Sequence, residues 1–206
     1  MKIFKSLFTV AIAGLVSVSA MADNGKKAQQ TLKVDTKASS FNWLGKKITG
    51  EHNGTINIQN GALVVDGDKL VGGDFTIDIN SIKVLDVKDP EYNAKLTGHL
   101  KAPDFFDAAK YPTSTFKITK ATPKGGTNYD IAGNLTINGV TQAITFPATV
   151  SIDKKGTASA SAKFEVDRTK FGSKYASKSF FDTIGDKAIY DNFTVEVKLA
   201  ATKAGV

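Results

Sequence analysis

The chain has 206 residues, 27 Lys and Arg against 20 Asp and Glu, a formal charge of +7 and no cysteine. That length suits one ordinary domain with a single core, and the missing thiols exclude both a disulfide framework and a thiolate metal centre. The charge invites a nucleic-acid partner, but Arg168 is the only arginine, and arginine is the residue best shaped to fork onto phosphates and base edges.

The first segment reads as a secretory signal peptide over residues 1–22. Met1 to Lys5 is a basic start, Leu7 to Val18 is apolar or small, and Ala20-Met21-Ala22 is a small-x-small cleavage site. The apolar run is short for a membrane span and no stop-transfer charges follow it. Cleavage removes Lys2, Lys5 and both methionines, so the net charge falls from +7 to +5 and the mature chain has neither Cys nor Met. Export without disulfides suits a Gram-negative periplasm. Residues 23–30 form a polar, flexible terminus.

Strand-like segments follow at about 31–35, 39–45, 48–59, 62–66, 70–84, 95–100, 113–121, 127–138, 140–152, 157–168 and 191–200, with a tail at 201–206. Gly-containing breakers separate them at Asn60-Gly61, Asp66-Gly67, Gly72-Gly73, Lys124-Gly125-Gly126 and Lys155-Gly156. Asn60-Gly61 predicts a hairpin with Ile58 facing Leu63 and Ile56 facing Val65. Short links between alternating strands mean an antiparallel meander closed as a barrel or sandwich, all-β, in one domain over 31–200. Lysines such as Lys117, Lys163 and Lys198 fall on the polar strand faces, where they solubilise the exterior. Mild attraction to an anionic membrane surface is compatible with that basicity.

The clearest register lies between Tyr129 and Ile152. Ile131, Gly133, Leu135 and Ile137 alternate with polar residues, and the alternation resumes after Asn138-Gly139 with Val140, Ile144 and Phe146. A type I′ turn at Asn138-Gly139 pairs Ile137 with Val140, Gly133 with Ile144 and Ile131 with Phe146, all on one face. Two segments break the strand pattern, 103–112 and 177–185. Each contains Phe-Phe-Asp, and both read either as aromatic plugs or lids near two strand entries or as simple covers over the barrel's open ends, the first with one or two helical turns.

Catalytic patterns are thin. His52 and His99 are the only histidines, neither has metal-ligand spacing, and there is no Gly-x-Ser-x-Gly elbow; both read as hydrogen-bonded structural histidines. Arg168 shares the parity of Ala158, Ala160, Ala162, Phe164 and Val166, which points it inward and demands a partner. The structural reading pairs it with Asp104, Asp107 or Asp182; the functional one gives it a ligand's polar head. Alanine at 158, 160 and 162 leaves volume where Val or Leu normally packs. Either a ligand occupies that space, as an eight-stranded barrel allows, or Phe75, Phe116, Phe146 and Phe164 lean over and fill it.

Leu100 to Asp107, followed by Tyr111-Pro112-Thr113 and Phe116, resembles the central motif of the YceI-like domain. Gly133 to Thr141, the Arg168 and Phe171-Gly172 segment, and more weakly Val34-Asp35, Ser40 and Trp43 extend the likeness. Where the family usually has a histidine-rich start, this chain has Lys46-Lys47-Ile48-Thr49-Gly50-Glu51-His52. The resemblance implies a lipocalin-like antiparallel barrel of about eight strands whose apolar pore binds a polyisoprenoid or similar lipid, a periplasmic location and often a homodimer. It brings no catalytic residue, and the residues themselves lead us to expect no metal and no cofactor. The expected ligand-facing set is Trp43, Phe75, Ile77, Ile79, Phe116, Leu135, Ile144, Phe146, Ala160, Ala162, Phe164 and Phe193. The alternative is a filled-core envelope-stress protein acting through protein contacts.

Overall fold

The computed structural model describes residues 29–181 and 183–203. The segment read as a signal peptide, 1–22, most of the expected terminus at 23–30 and residues 204–206 lie outside them. Among the described residues the strands are β1 (Gln30–Val34), β2 (Ser40–Lys47), β3 (Gly50–Asp66), β4 (Lys69–Val84), β5 (Thr113–Gly125), β6 (Asn128–Ile137), β7 (Val140–Ile152), β8 (Thr157–Asp167) and β9 (Ile189–Lys203). From β2 to β9 each strand pairs antiparallel with the next, and β9 pairs back with β2 to close the sheet. β1 and β2 both lie between β3 and β9, with Leu32 opposite Leu63 and Lys203 and Trp43 opposite Gly54 and Val195. They share one stave broken by a turn at 36–38. The result is a lipocalin-like up-and-down barrel of eight staves.

Period-two patterning produces this wall. On β8, Ala158, Ala160, Ala162, Phe164 and Val166 turn away from the exterior, while Ser159, Ser161, Lys163 and Glu165 are exposed. The β6–β7 hairpin has the expected register, Ile137 opposite Val140, Gly133 opposite Ile144 and Ile131 opposite Phe146. Asn138 and Gly139 take φ of 51° and 71°, as a type I′ turn requires. One end of the barrel has only tight turns and is packed solid by Leu32, Leu63, Val65, Leu70, Tyr129, Ala158 and Ala201, all buried. The other end carries the β2–β3 and β6–β7 turns and two long connections, β4–β5 and β8–β9.

Several expectations need correction. Asn60-Gly61 is not a turn, because β3 runs through it with a bulge between Ile58 and Asn60. Gly61 is there for its missing side chain: a Cβ would come within 2.7 Å of the Phe75 ring. Gly73 likewise lies inside β4, where a Cβ would meet the Ala62 carbonyl oxygen at 2.7 Å. Residues 95–100 are not a strand but the end of α1 (Pro90–Lys101). Asp89 caps α1 by accepting the Tyr92 N–H at 2.9 Å, and Pro90 opens its first turn. No residue of α1 is fully buried; its inner side is limited to Leu96, His99 and the partly buried Leu100, which packs against the core. Residues 103–110 form turns, so the helix expected in the first plug lies one segment earlier. β8 stops at Asp167, and Arg168 begins a 3₁₀ turn (Arg168–Phe171) instead of continuing the strand. β9 runs on to Lys203 with Ala201 wholly buried.

Candidate functional site

Inside the barrel is a cavity of about 620 Å³, within the roughly 300–1,000 Å³ span of small-molecule sites. All twelve residues of the expected ligand-facing set stand on its wall: Trp43, Phe75, Ile77, Ile79, Phe116, Leu135, Ile144, Phe146, Ala160, Ala162, Phe164 and Phe193.

The wall shows why the space stays open. Phe75, Phe116, Phe146 and Phe164 form a row with ring centroids 6.4, 5.5 and 4.0 Å apart. Strand glycines give two of them slots in the wall. Phe75 lies over Gly61, and Phe116 occupies the space that a side chain at Gly133 would take. Beside the row on β7, β8 and β9, Ala162 is opposite Ala148 and Val197, and Ala160 opposite Val150 and Leu199. The filled-core alternative does not accommodate a cavity of 620 Å³. Trp43 is fixed by its indole N–H, which donates to the Thr55 carbonyl at 3.3 Å, and by Gly54, where a Cβ would strike the indole ring at 2.6 Å.

Some wall residues were not in the expected set. Phe41, Ile118, Ile131, Val150, Val197 and Leu199 share the inward parity of their strands, so the period-two signal could have found them. Leu96, His99, Phe105, Phe106 and Tyr175 come from α1 and the long connections, which carry no periodic signal.

These last residues cover the open end. Phe105 is buried and Phe106 packs edge-on to Phe193 with centroids 6.2 Å apart. His99 stands edge-on to Tyr175 at 4.5 Å and to Phe105 at 5.4 Å, and its Nε2 is 2.9 Å from Asp104 Oδ2. Asn138 Nδ2 donates to the Phe105 carbonyl at 2.8 Å, tying the β6–β7 turn to the same cover. The second Phe-Phe motif behaves otherwise: Phe180 and Phe181 are 47% and 50% exposed and plug nothing.

Arg168 is 3% exposed and holds the β8–β9 connection in place. Its Nε donates to the Tyr190 carbonyl at 3.2 Å, one terminal nitrogen to Ser173 O at 2.9 Å and the other to Ile189 O at 3.1 Å. The guanidinium lies 5.5 Å from the centre of the Phe105 ring, and Asp191 Oδ1 is 3.7 Å away. Burial draws its pKa below the ordinary value, against the raising influence of Asp191 and Asp167. Of the two readings of Arg168, these contacts fit the structural one, but with other partners: backbone carbonyls and Asp191 replace Asp104 and Asp107, and Asp182 lies outside the described residues.

At the rim, His52 Nδ1 is 2.7 Å from Asp86 Oδ2, and the Asn53 N–H donates to Asp86 Oδ1 at 2.9 Å. Burial alone would raise the Asp86 pKa, but the hydrogen bonds from Asn53 and His52 outweigh it and hold the carboxyl below its usual range. Among the described residues no three His, Asp or Glu side chains converge as a metal site would need.

Comparison with known proteins places this architecture. The sequence model of the YceI-like domain matches residues 32–201. The chain belongs to the YceI-like family. A UPF0312 protein of Vibrio vulnificus is 40% identical over 83 residues, covering 37% of this chain and 44% of that protein; the chain thus spans less than half the length of such Vibrio relatives. Protein YceI of Escherichia coli is 28% identical over 149 residues, 67% of this chain and 71% of that one. Among solved structures, a polyisoprenoid binding domain from Saccharophagus degradans, implicated in plant cell wall breakdown, superposes with a TM-score of 0.64 at 15% identity, covering 84% of this chain and 98% of that one. BcnA of Burkholderia cenocepacia gives a TM-score of 0.61 at 24% identity, over 82% and 99% of the two chains. At those identities the likeness speaks for the fold.

Proposed function

We propose that this YceI-like barrel binds a polyisoprenoid or similar long-chain lipid and carries, stores or sequesters it in the periplasm. The observation that carries the reading is the 620 Å³ cavity walled by aliphatic and aromatic side chains. A void of that size lined by apolar groups is unfavourable unless an apolar ligand occupies it. Ser161 has its side chain on the exposed face of β8, and on the wall Ser114 Oγ is already committed to the Thr136 carbonyl at 2.7 Å. Such a wall selects an apolar chain and offers nothing to a polar one. The S. degradans domain, described as polyisoprenoid binding, shares the fold. The signal-like segment over residues 1–22 supports export, and the lysine-rich exterior supports transient contact with anionic membrane surfaces. The reading assigns the protein no catalysis.

Trp43 provides the test, since it is the single tryptophan and stands on the cavity wall. Titrating delipidated protein with a long-chain polyprenol is expected to change Trp43 emission saturably at about one ligand per chain. A folded protein whose emission does not respond would overturn the proposal.

A further inference from the structure

We propose that the ligand of this cavity carries an anionic head group, a phosphate on a long apolar chain, held at a rim formed by Lys46, Lys47 and Lys187. The inference rests on the lipid-binding reading above and adds the chemistry of the ligand's polar end.

Polarity in the cavity is one-ended. The far end is closed by packed side chains, and the charged wall residues all come from the open end: Lys46, Lys47, Arg168, Asp186 and Lys187, with His52 and His99. An amphiphile that threads its chain into the barrel must leave its head among them. Arg168 is spent on three backbone carbonyls. On the cavity wall three lysines then stand with one carboxylate, Asp186, and Glu51 lies opposite Lys46 on the neighbouring strand.

The three lysines belong to one rim. β2 bulges between Gly45 and Lys47. In a regular strand neighbouring residues point to opposite faces; a bulge re-aims them, and here both Lys46 and Lys47 border the opening. Lys47 pairs with Ile189, and the Ile48 N–H donates to the Ala188 carbonyl at 3.2 Å. The end of β2 that carries Lys46 and Lys47 is therefore fastened to the segment that follows the turn carrying Lys187. Among the described residues, none of the three lies within 4.0 Å of a carboxylate. Clustered like charges repel, and an anion between them relieves that repulsion while a neutral alcohol does not. Several point cations around one opening suit a phosphate, which offers charge and acceptor oxygens in several directions.

The test uses delipidated full-length mature protein and Trp43 emission. The probes are a polyprenyl monophosphate, the polyprenol of the same chain length and a long-chain fatty acid, each at low and high salt. The phosphate is expected to bind about tenfold or more tightly than the alcohol at low salt, with the preference shrinking as salt rises. In the K46Q/K47Q/K187Q variant the ratio of the two affinities should fall to about one. If that variant melts early, K47Q alone should lower the ratio by about threefold. Equal affinity for phosphate and alcohol in the wild type would overturn the inference and leave the lipid reading standing. A preference that survives in a folded triple variant would overturn the rim. A fatty acid that binds as tightly as the phosphate would replace phosphate by carboxylate. Failure of all three probes would sink the lipid reading itself.

Discussion

Replacing Ala162 by Phe puts a ring into the lumen from β8, where Ala148 and Val197 flank the site and the Phe146–Phe164 stack lies beside it. The side chain at 162 faces the cavity and is only half-buried. The ring therefore has room, and the fold should lose little. A ligand chain pressed against that wall loses contact for at least three carbons, and at roughly 0.8 kcal/mol per buried CH₂ that is about 2.4 kcal/mol, or ~60-fold in affinity. In a filled core the same ring would instead overpack at a cost of ~1–3 kcal/mol, which for a chain of this size lowers the melting temperature by about 2–12 °C. Polyprenol titration and thermal melts of delipidated wild type, A160F and A162F separate the two. Affinity should drop steeply with the melting temperature nearly unchanged. Normal lipid loading with a collapsed melting temperature would refute the cavity.

Arg168→Lys keeps the charge but loses the planar fork, so at least two of the three carbonyl contacts disappear. Stability of the ligand-free protein in denaturant melts should fall by about 3 kcal/mol, whereas unchanged apo stability with weakened binding would move Arg168 into the head-group site. Gly133→Ala would drive a Cβ into the Phe116 ring and to 2.6 Å from the Lys117 carbonyl oxygen; a loss of ~1–3 kcal/mol in urea melts is expected, and a neutral outcome would mean the aromatic row does not lean on the glycine slot. Asp86 has a folded pKa below its ordinary 3.8, so its contribution is complete above that value and is lost as the pH falls through the folded one. Denaturant melts of wild type and Asp86→Asn from about pH 5 down to about pH 2 should converge at the acid end; a constant gap would show that the carboxyl's charge is not what stabilises this corner.

The wall of the barrel was legible because its signal is periodic. Strands such as β8 alternate Ala and Phe with Ser, Lys and Glu, and one inward residue fixes the rest. The small residues mattered as much: Ala160 and Ala162 pointed to open volume before any geometry was known. The same reading misplaced Gly61 and Gly73, because a strand glycine that makes way for a neighbouring ring looks locally like a turn glycine. It missed α1, whose cap at Asp89-Pro90 outweighs a weakly amphipathic sequence. The cover of the cavity was least legible. Phe105 and Phe180 sit in near-identical Phe-Phe-Asp motifs, yet one is buried against His99 and Tyr175 and the other faces solvent. That difference arises from contacts between segments far apart in the chain. Arg168 was legible as buried, but its role stayed open in the sequence because its carbonyl partners lie in a connection with no pattern to reveal them.

The most direct measurement is mass spectrometry of an organic extract from the untagged protein, expressed from the whole 206-residue sequence in a Gram-negative host and purified without detergent. A long-chain isoprenoid in near-stoichiometric amount, absent from the extract of A162F, is the predicted result. An extract of folded wild-type protein that contains no apolar ligand would contradict the account.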